Sequence, residues 1–217
     1  MNIRDYMTNV GKQSVKASKE IKSLSTIDKN NLLLSIAESI RDEKDKIISA
    51  NQEDINLAKK NNTSKVMINR LMLDNERIEN IAKSVEDIVK LSDPVGRVLY
   101  ETERPNGLII NRVSVPLGVI GIIYESRPNV TVDASVLCIK AGNVAILRGG
   151  SESFNSNTSL IKAIQLAAVD NLKRVILLKN KDLYNQEIEN PYLITNFMET
   201  KTTWHPVEKI SSAGSGY

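Results

Sequence analysis

With 217 residues, 41% of them apolar and 25% charged, the chain has the make-up of a soluble globular protein with room for one large or two small domains. No apolar run approaches the ~18 residues of a membrane span, and the N-terminus lacks the apolar core of a secretion signal. A net charge of +3 with interleaved signs, and only 4% aromatic residues, argue against a nucleic-acid surface.

The single cysteine, Cys138, excludes an intrachain disulfide and fits a reducing cytoplasm. Together with the single histidine, His205, it leaves no set of ligands for structural zinc. The expected partners therefore exclude membrane and nucleic acid, and no metal is expected.

In chain order, the first ninety residues are helical in period. Met7, Val10, Ala17, Ile21 and Leu24 share one face of an amphipathic helix. Thr26 or Asp28 can cap a second helix, which carries Leu33, Ile36, Ala37, Ile40, Ile47 and Ile55 inward. Its charged stretch, Arg41 to Lys46, reads as a solvated face. Asn61 to Ser64 is a break. Asp74-Asn75 precedes a further helix with Ile78, Ile81, Val85 and Ile88 on one side, which Pro94 ends.

From residue 97 the period changes to that of strands. Arg97–Glu103 and Leu108–Val115 flank Arg104-Pro105-Asn106-Gly107, a sequence suited to a type I turn, so a long hairpin is expected. Such a hairpin is either packed on its own domain or an arm that pairs with another subunit, because a bare strand edge is a liability.

The stretch from Pro116 to Ser151 predicts a βαβ unit: a strand at Gly118–Tyr124, a helix, a second strand at Val144–Leu147, and then Arg148-Gly149-Gly150-Ser151. The first strand is almost uniformly apolar, as in a strand covered on both faces. Gly118 and Gly121 are read as allowing close packing within it. Ligands of open α/β sheets lie at the carboxyl ends of the strands, which puts 124–129 and 148–152 in position to touch one. After the unit a helix at Asn157–Leu172, with Leu160, Ile161, Ile164, Ala167 and Ala168 on one face, leads to a third strand at Val175–Leu178. The polar remainder offers one more strand, Asn196–Trp204.

The chemistry readable from residue types is limited. Arg148-Gly149-Gly150-Ser151 has the backbone N–H groups, the helix start and the guanidinium of a phosphate cradle, but it is neither GxGxxG nor GxxxxGK[ST] and is equally a tight turn. Cys138 sits in the helix of the βαβ unit and is expected to be a buried hydrophobe rather than a nucleophile. His205 has no partners in sequence. Glu125 and Asp133 flank the first turn without forming a mechanism.

The string VPLGVIGIIYESRPNVTVDASVLCIKAGNVAILRGGSE, with the preceding MINRLMLDNERIENIAKSVEDIVKLSDPVG and RVLYETERPNGLIINRVSVPLG, resembles γ-glutamyl phosphate reductase (glutamate-5-semialdehyde dehydrogenase) of the aldehyde dehydrogenase superfamily. The match runs over about residues 5–168. It implies an α/β fold: an aldehyde-dehydrogenase-like, Rossmann-type cofactor domain, truncated, with N-terminal helices and a β-hairpin oligomerisation arm. The divisions expected are 1–97 for the helical part of the cofactor domain, 98–115 for the arm, 116–178 for the NADP-binding βαβ core and 179–217 for a divergent tail.

The resemblance further implies NADPH-dependent reduction of L-glutamyl 5-phosphate to L-glutamate 5-semialdehyde in proline biosynthesis, through a cysteine thioester. Its implied partners are the small-molecule substrate, further copies of the chain through the arm, and glutamate kinase. By position, Tyr124, Glu125, Ser126, Arg148, Gly149, Gly150 and Ser151 would line the cofactor cleft. Ser126 falls where the superfamily often has an asparagine that helps hold the oxyanion. Arg148 falls where the superfamily has a lysine at the adenosine ribose, and a guanidinium there suits the 2′-phosphate of NADP.

The family's nucleophilic cysteine lies in a glycine-rich loop beyond the matched region, and Cys138 aligns with a helix position. From about Val169 the family pattern stops. The chain thus reads as a truncated, frameshifted or internally deleted reductase, inactive alone. Its rivals are a non-catalytic fragment that pairs with a full-length subunit and, from the tail segment ITNFMETKTTWHPV, another NAD(P)-dependent aldehyde dehydrogenase.

Overall fold

The computed structural model of the protein describes residues 3–179, and side-chain burial for residues 4–169. The expected strand at Asn196–Trp204 and His205 lie outside the described residues. Among the described residues, seven α-helices and four strands follow in the order α1 (Ile3–Ile21), α2 (Thr26–Asp42), α3 (Lys44–Lys60), α4 (Lys65–Leu71), α5 (Asn75–Lys90), β1 (Val98–Glu103), β2 (Ile109–Val113), β3 (Val119–Ile123), α6 (Pro128–Lys140), β4 (Val144–Arg148) and α7 (Phe154–Lys179), with a single 3-10 turn at Ser151–Ser153 before α7.

Helix α2 is the hub, packing on α5, α6 and α7. Its Leu33, Ile36 and Ile40 have no solvent contact, as their spacing of three and four dictates. The residue that caps it is Ser25, rather than Thr26 or Asp28. The Ser25 hydroxyl accepts from the Asp28 N–H (3.1 Å) while the Asp28 carboxylate accepts from the Ser25 N–H (3.2 Å). This reciprocal pair is a capping box, and it needs Asp28 three residues inside the helix. The single long helix expected after it is two, because the chain turns at Glu43 and Ile47 and Ile55 project from α3. On α1 the inward face is Val10, Ser14, Ala17 and Ile21, whereas Met7 is exposed. Asp74 caps α5, accepting from the Arg77 N–H (2.8 Å), and the helix stops at Lys90, before Pro94 is reached.

The hairpin β1–β2 is antiparallel, with a register shift at Leu99. Its turn closes by a Gly107 N–H to Arg104 C=O bond (2.8 Å), and Gly107 has φ +79°, where a side chain would be strained. Nearly every residue of both strands is exposed, so the hairpin is not packed on its own domain among the described residues.

Strands β3 and β4 pair in parallel, with Val119 opposite Val144 and Ile123 opposite Arg148. They form a two-stranded sheet among the described residues, and both outer edges are unpaired there. Helices α1 and α6 pack on it. The expectation that β3 is covered on both faces fails: Gly121 and Ile123 are exposed, Ile123 by 76%. Nothing among the described residues lies within 4 Å of a Cβ built on Gly118 or Gly121. No close packing surrounds either glycine among the described residues; Gly118 has φ +110°, which only glycine adopts without strain. Val175–Leu178, expected as a third strand, lies within α7. Its apolar run is as compatible with a buried helix as with a strand, and the run is too short for periodicity to separate the two.

Helix α6 ends in a Schellman arrangement. Gly142 N–H bonds to Ile139 C=O (2.9 Å) and Asn143 N–H to Cys138 C=O (2.8 Å). Gly142 has φ +70°, and a Cβ there would stand 2.9 Å from Pro116 Cγ. The buried Asn143 side chain then accepts from Gly118 N–H (2.8 Å), joining the end of the helix to the start of β3.

Candidate functional site

The parallel register brings the two loops after β3 and β4 side by side. Tyr124 N–H donates to Arg148 C=O (3.0 Å), so 124–126 and 148–151 form one surface at the carboxyl edge of the sheet. All seven residues singled out by position lie there. Glu125, Arg148 and Ser151 are exposed, Gly150 and Tyr124 are half-buried, and Ser126 and Gly149 are buried. Arg148 forms no ion pair among the described residues. The Ser126 hydroxyl donates to the Glu152 carboxylate (3.2 Å) and so ties the two loops together.

Beneath this surface runs a chain of hydrogen bonds. The Thr131 hydroxyl donates to Asn157 Oδ1 (2.9 Å), so the Tyr124 hydroxyl, 2.6 Å from Thr131 Oγ1, donates to it. Asn157 Nδ2 donates to Ser153 Oγ (3.0 Å), and Ser153 Oγ to Gly150 C=O (3.3 Å). Burial pushes the Tyr124 phenol above its ordinary pKa, more than the Thr131 bond lowers it, so it stays a neutral donor.

This chain explains Gly149 without reference to a ligand. A Cβ on Gly149 would stand 2.2 Å from Asn157 Nδ2 and 3.1 Å from the Tyr124 ring. Gly150 differs, since the nearest atom to its Cβ would be Glu152 Oε2 (2.5 Å), the end of an exposed side chain that can swing away at the cost of its bond to Ser126.

The start of α7 is already supplied with an anion. Asp54, 2% exposed on α3, accepts from Asn155 N–H (3.1 Å) and Asn155 Nδ2 (3.0 Å) with one oxygen. With the other it accepts from Ser156 N–H (2.8 Å) and Ser156 Oγ (2.5 Å). The donors at 155 and 156 that a phosphate cradle would use are thus taken up by a carboxylate of the same chain. An incoming anion is left with the Arg148 guanidinium and the backbone of 149–152.

Asn51 continues the network one turn earlier. Its amide donates to Leu71 C=O (2.7 Å) and Ser156 Oγ (2.9 Å), and its oxygen accepts from Leu73 N–H (2.7 Å). Neither Asn51 nor Asp54 is conspicuous as a motif. The signal available in sequence was their position: Ile47, Asn51, Asp54, Ile55 and Ala58 form the inward stripe of α3, and a polar residue in such a stripe implies buried partners.

Cys138 is buried in the last turn of α6, and burial pushes its thiol upward, away from a reactive thiolate. Asp133 stands on α6 outside the junction, on the side that meets Ser84 of α5. Among the described residues no three His, Cys, Asp or Glu side chains are placed to hold a metal, and no helix is long and apolar enough to cross a membrane.

The comparisons with known proteins agree with the resemblance in the sequence. No family model matches the chain. The chain is 52% identical over 163 residues to "Gamma-glutamyl phosphate reductase" of Carboxydothermus hydrogenoformans and 44% identical over 168 residues to that of Clostridium novyi. These matches cover 75% and 77% of the chain but 39% and 40% of those proteins, so the chain spans about two fifths of the length of the curated relatives it matches. Among solved structures, gamma-glutamyl phosphate reductase from Thermotoga maritima superposes with a TM-score of 0.75 at 34% identity, covering 89% of this chain and 42% of that one. A putative aldehyde dehydrogenase from Bacillus subtilis, at 17% identity over 75% of this chain and 33% of that one, shares the fold with a TM-score of 0.54.

Proposed function

With three quarters of the chain related to the gamma-glutamyl phosphate reductases, we propose that it forms the NADP-binding portion of such a reductase. The reaction served is the reduction of L-glutamyl 5-phosphate to L-glutamate 5-semialdehyde in proline biosynthesis, in the cytoplasm. Tyr124, Glu125, Ser126, Arg148, Gly149, Gly150 and Ser151 line the cofactor cleft in this reading, and the divisions are the helical segment at 1–97, the arm at 98–115, the core at 116–178 and the tail at 179–217. Glutamate kinase, whose product is the substrate, is the heterologous partner.

The observation that carries the reading is Arg148. It is an exposed guanidinium at the carboxyl end of β4, beside a buried glycine and free of any ion pair among the described residues. That is a fit for a phosphate monoester, which a guanidinium can grip with two parallel bonds. NADPH, when bound, supplies the hydride. The chain's own residues would bind and orient: Arg148 would grip the 2′-phosphate, the 149–152 backbone would face the nucleotide, and Ser126, on releasing Glu152, would donate to the reacting carbonyl oxygen. The covalent step of the family needs a thiolate, and the one cysteine of this chain is buried with its pKa raised. The purified 217-residue chain is therefore proposed to bind cofactor without turning over.

The test is a titration of the chain with NADPH and NADH, followed by nucleotide fluorescence. Arg148→Ala should weaken NADPH by about tenfold or more and leave NADH nearly unchanged; equal losses overturn the assignment. A spectrophotometric assay with glutamyl phosphate should show no turnover, and turnover by pure protein would overturn the claim of inactivity.

A second reading is favoured by the bare hairpin, on which Leu99, Tyr100, Leu108 and Ile109 are all more than half exposed. In it the chain is a non-catalytic partner that pairs with a full-length subunit, or with a second copy, through β1–β2. Co-purification with a full-length reductase supports it, and monomeric elution of the mixture counts against it.

A further inference from the structure

The loop after β3 has a second side, away from the 148–152 loop, where the start of α6 faces α4 and α5. A groove runs there in two adjoining lobes of about 360 and 460 Å³ that share Arg70, Arg77 and Asn129. The larger lobe adds Arg127 and Asn69, and the smaller adds Ser84 and Asp133.

The three arginines are not equivalent. Arg77 is spoken for: its guanidinium donates to Asn69 C=O (2.5 Å), Met72 C=O (2.7 Å) and Asn69 Oδ1 (2.6 Å), which fixes the turn between α4 and α5. Arg70 and Arg127 have no carboxylate partner among the described residues. Arg127 is also the residue at which α6 begins, and its side chain does not cap the helix. Two free guanidinium groups and the positive end of a thirteen-residue helix thus share one lobe.

The other lobe adds a carboxylate to the two arginines it shares, Arg70 and Arg77. Asp133 is half-buried, accepts from Asn129 Nδ2 (3.0 Å) and from Ser84, and has no cation against it among the described residues. Burial pushes its carboxyl upward more than those two bonds lower it, so a cation arriving there would relieve an existing cost. A simple anion would be served by the arginines but would face Asp133 with like charge. A ligand with a carboxylate and an ammonium on one carbon suits both lobes.

We propose that this groove holds the α-amino-acid head of the substrate, with Arg70 and Arg127 on the α-carboxylate and Asp133 on the α-ammonium. The inference rests on the reading of Ser126 given above. Arg127 directly follows Ser126, so a glutamyl chain whose head lies in the groove points its far carbonyl back toward the junction.

The probes are L-glutamate, glutarate (the same diacid without the ammonium) and inorganic phosphate, titrated calorimetrically into the whole 217-residue chain. L-glutamate should bind about tenfold more tightly than glutarate. Asp133→Asn should abolish that preference, while Arg127→Gln and Arg70→Gln should weaken both ligands. Equal affinity for glutarate and L-glutamate in the wild type overturns the proposal. So does phosphate binding more tightly than L-glutamate, since the groove is then an anion site only. No binding of L-glutamate at tens of millimolar overturns it as well, as do variants that bind like the wild type.

Far-UV circular dichroism and NADPH fluorescence run on the same samples keep the two readings apart. A wild type that binds L-glutamate but not NADPH refutes the cofactor assignment alone. Variants that lose L-glutamate while keeping NADPH place the loss in the groove rather than in the fold.

Discussion

The junction of β3, β4 and α7 and the hairpin β1–β2 are both built from strands and tight turns, yet they are determined in different ways. At the junction the buried polar groups have partners inside the chain: Asp54 closes the start of α7, Asn157 holds the loop from beneath, and Ser126 joins it from the side. The hairpin is closed by its own turn and tied at its base, where Ser114 N–H donates to Arg97 C=O (3.0 Å) and Ser114 Oγ to Pro94 C=O. Beyond that base its side chains touch little. One region is specified by long-range contacts and the other by local sequence alone, so mutations should separate them by magnitude.

The largest effect is expected at Asp54. Asp54→Ala leaves the buried donors of Asn155 and Ser156 without an acceptor, and should lower stability by about 3 kcal/mol or more in urea unfolding. A loss below about 1 kcal/mol would show that water replaces the carboxylate and that the junction is looser than its contacts suggest. Gly149→Ala comes next. It forces a methyl into the pinned Asn157 amide and should cost about 1–3 kcal/mol. Gly142→Ala should cost about 1–2 kcal/mol through its positive φ, added to the approach of Pro116; an unchanged thermal midpoint would mean the helix end can unwind freely.

A smaller effect is a dependence on pH. Asp93, after α5, pairs with the buried Lys29 ammonium (2.5 Å) and accepts from the Thr26 hydroxyl (2.7 Å) and the Val95 N–H (2.9 Å). Burial is the largest influence on its carboxyl and pushes it up, but these three bonds together outweigh burial and hold it below its ordinary value. A depressed carboxyl stabilises the fold fully above the unfolded value, about 3.9, and the contribution disappears as pH falls through the folded value. Stability should therefore drop in acid below about pH 4. Asp93→Asn should flatten that drop, and an unchanged acid slope would discard the assignment.

The smallest effect belongs to the hairpin, where Ile109→Thr should change monomer stability by no more than about 0.5 kcal/mol. A larger loss in dilute solution would erase the distinction between the two regions.

The same distinction governs what the sequence discloses. Periodicity located the helical faces around Ile36 and Val85, and turn chemistry located the hairpin, because those signals are local. It missed the division of α2 from α3 at Glu43, since the apolar stripe continues across a turn that only packing enforces. It also misread Val175–Leu178, where an apolar run without long-range information suits either state. The candidate site was legible only as an arrangement, two loops after two parallel strands. Its supports were not: Asp54 lies about a hundred residues from the helix it closes, and no spacing rule joins them.

The carboxylate at the start of α7 has one more consequence. A loop that owes its shape to an internal counter-charge holds that shape whether or not a ligand is near, so it is preorganised. Amides from Ser153 to Asn157 should then exchange slowly with deuterium in the free protein, and association should follow a single step whose rate is set by encounter. Any heat-capacity change on binding would report the surface covered rather than a segment folding.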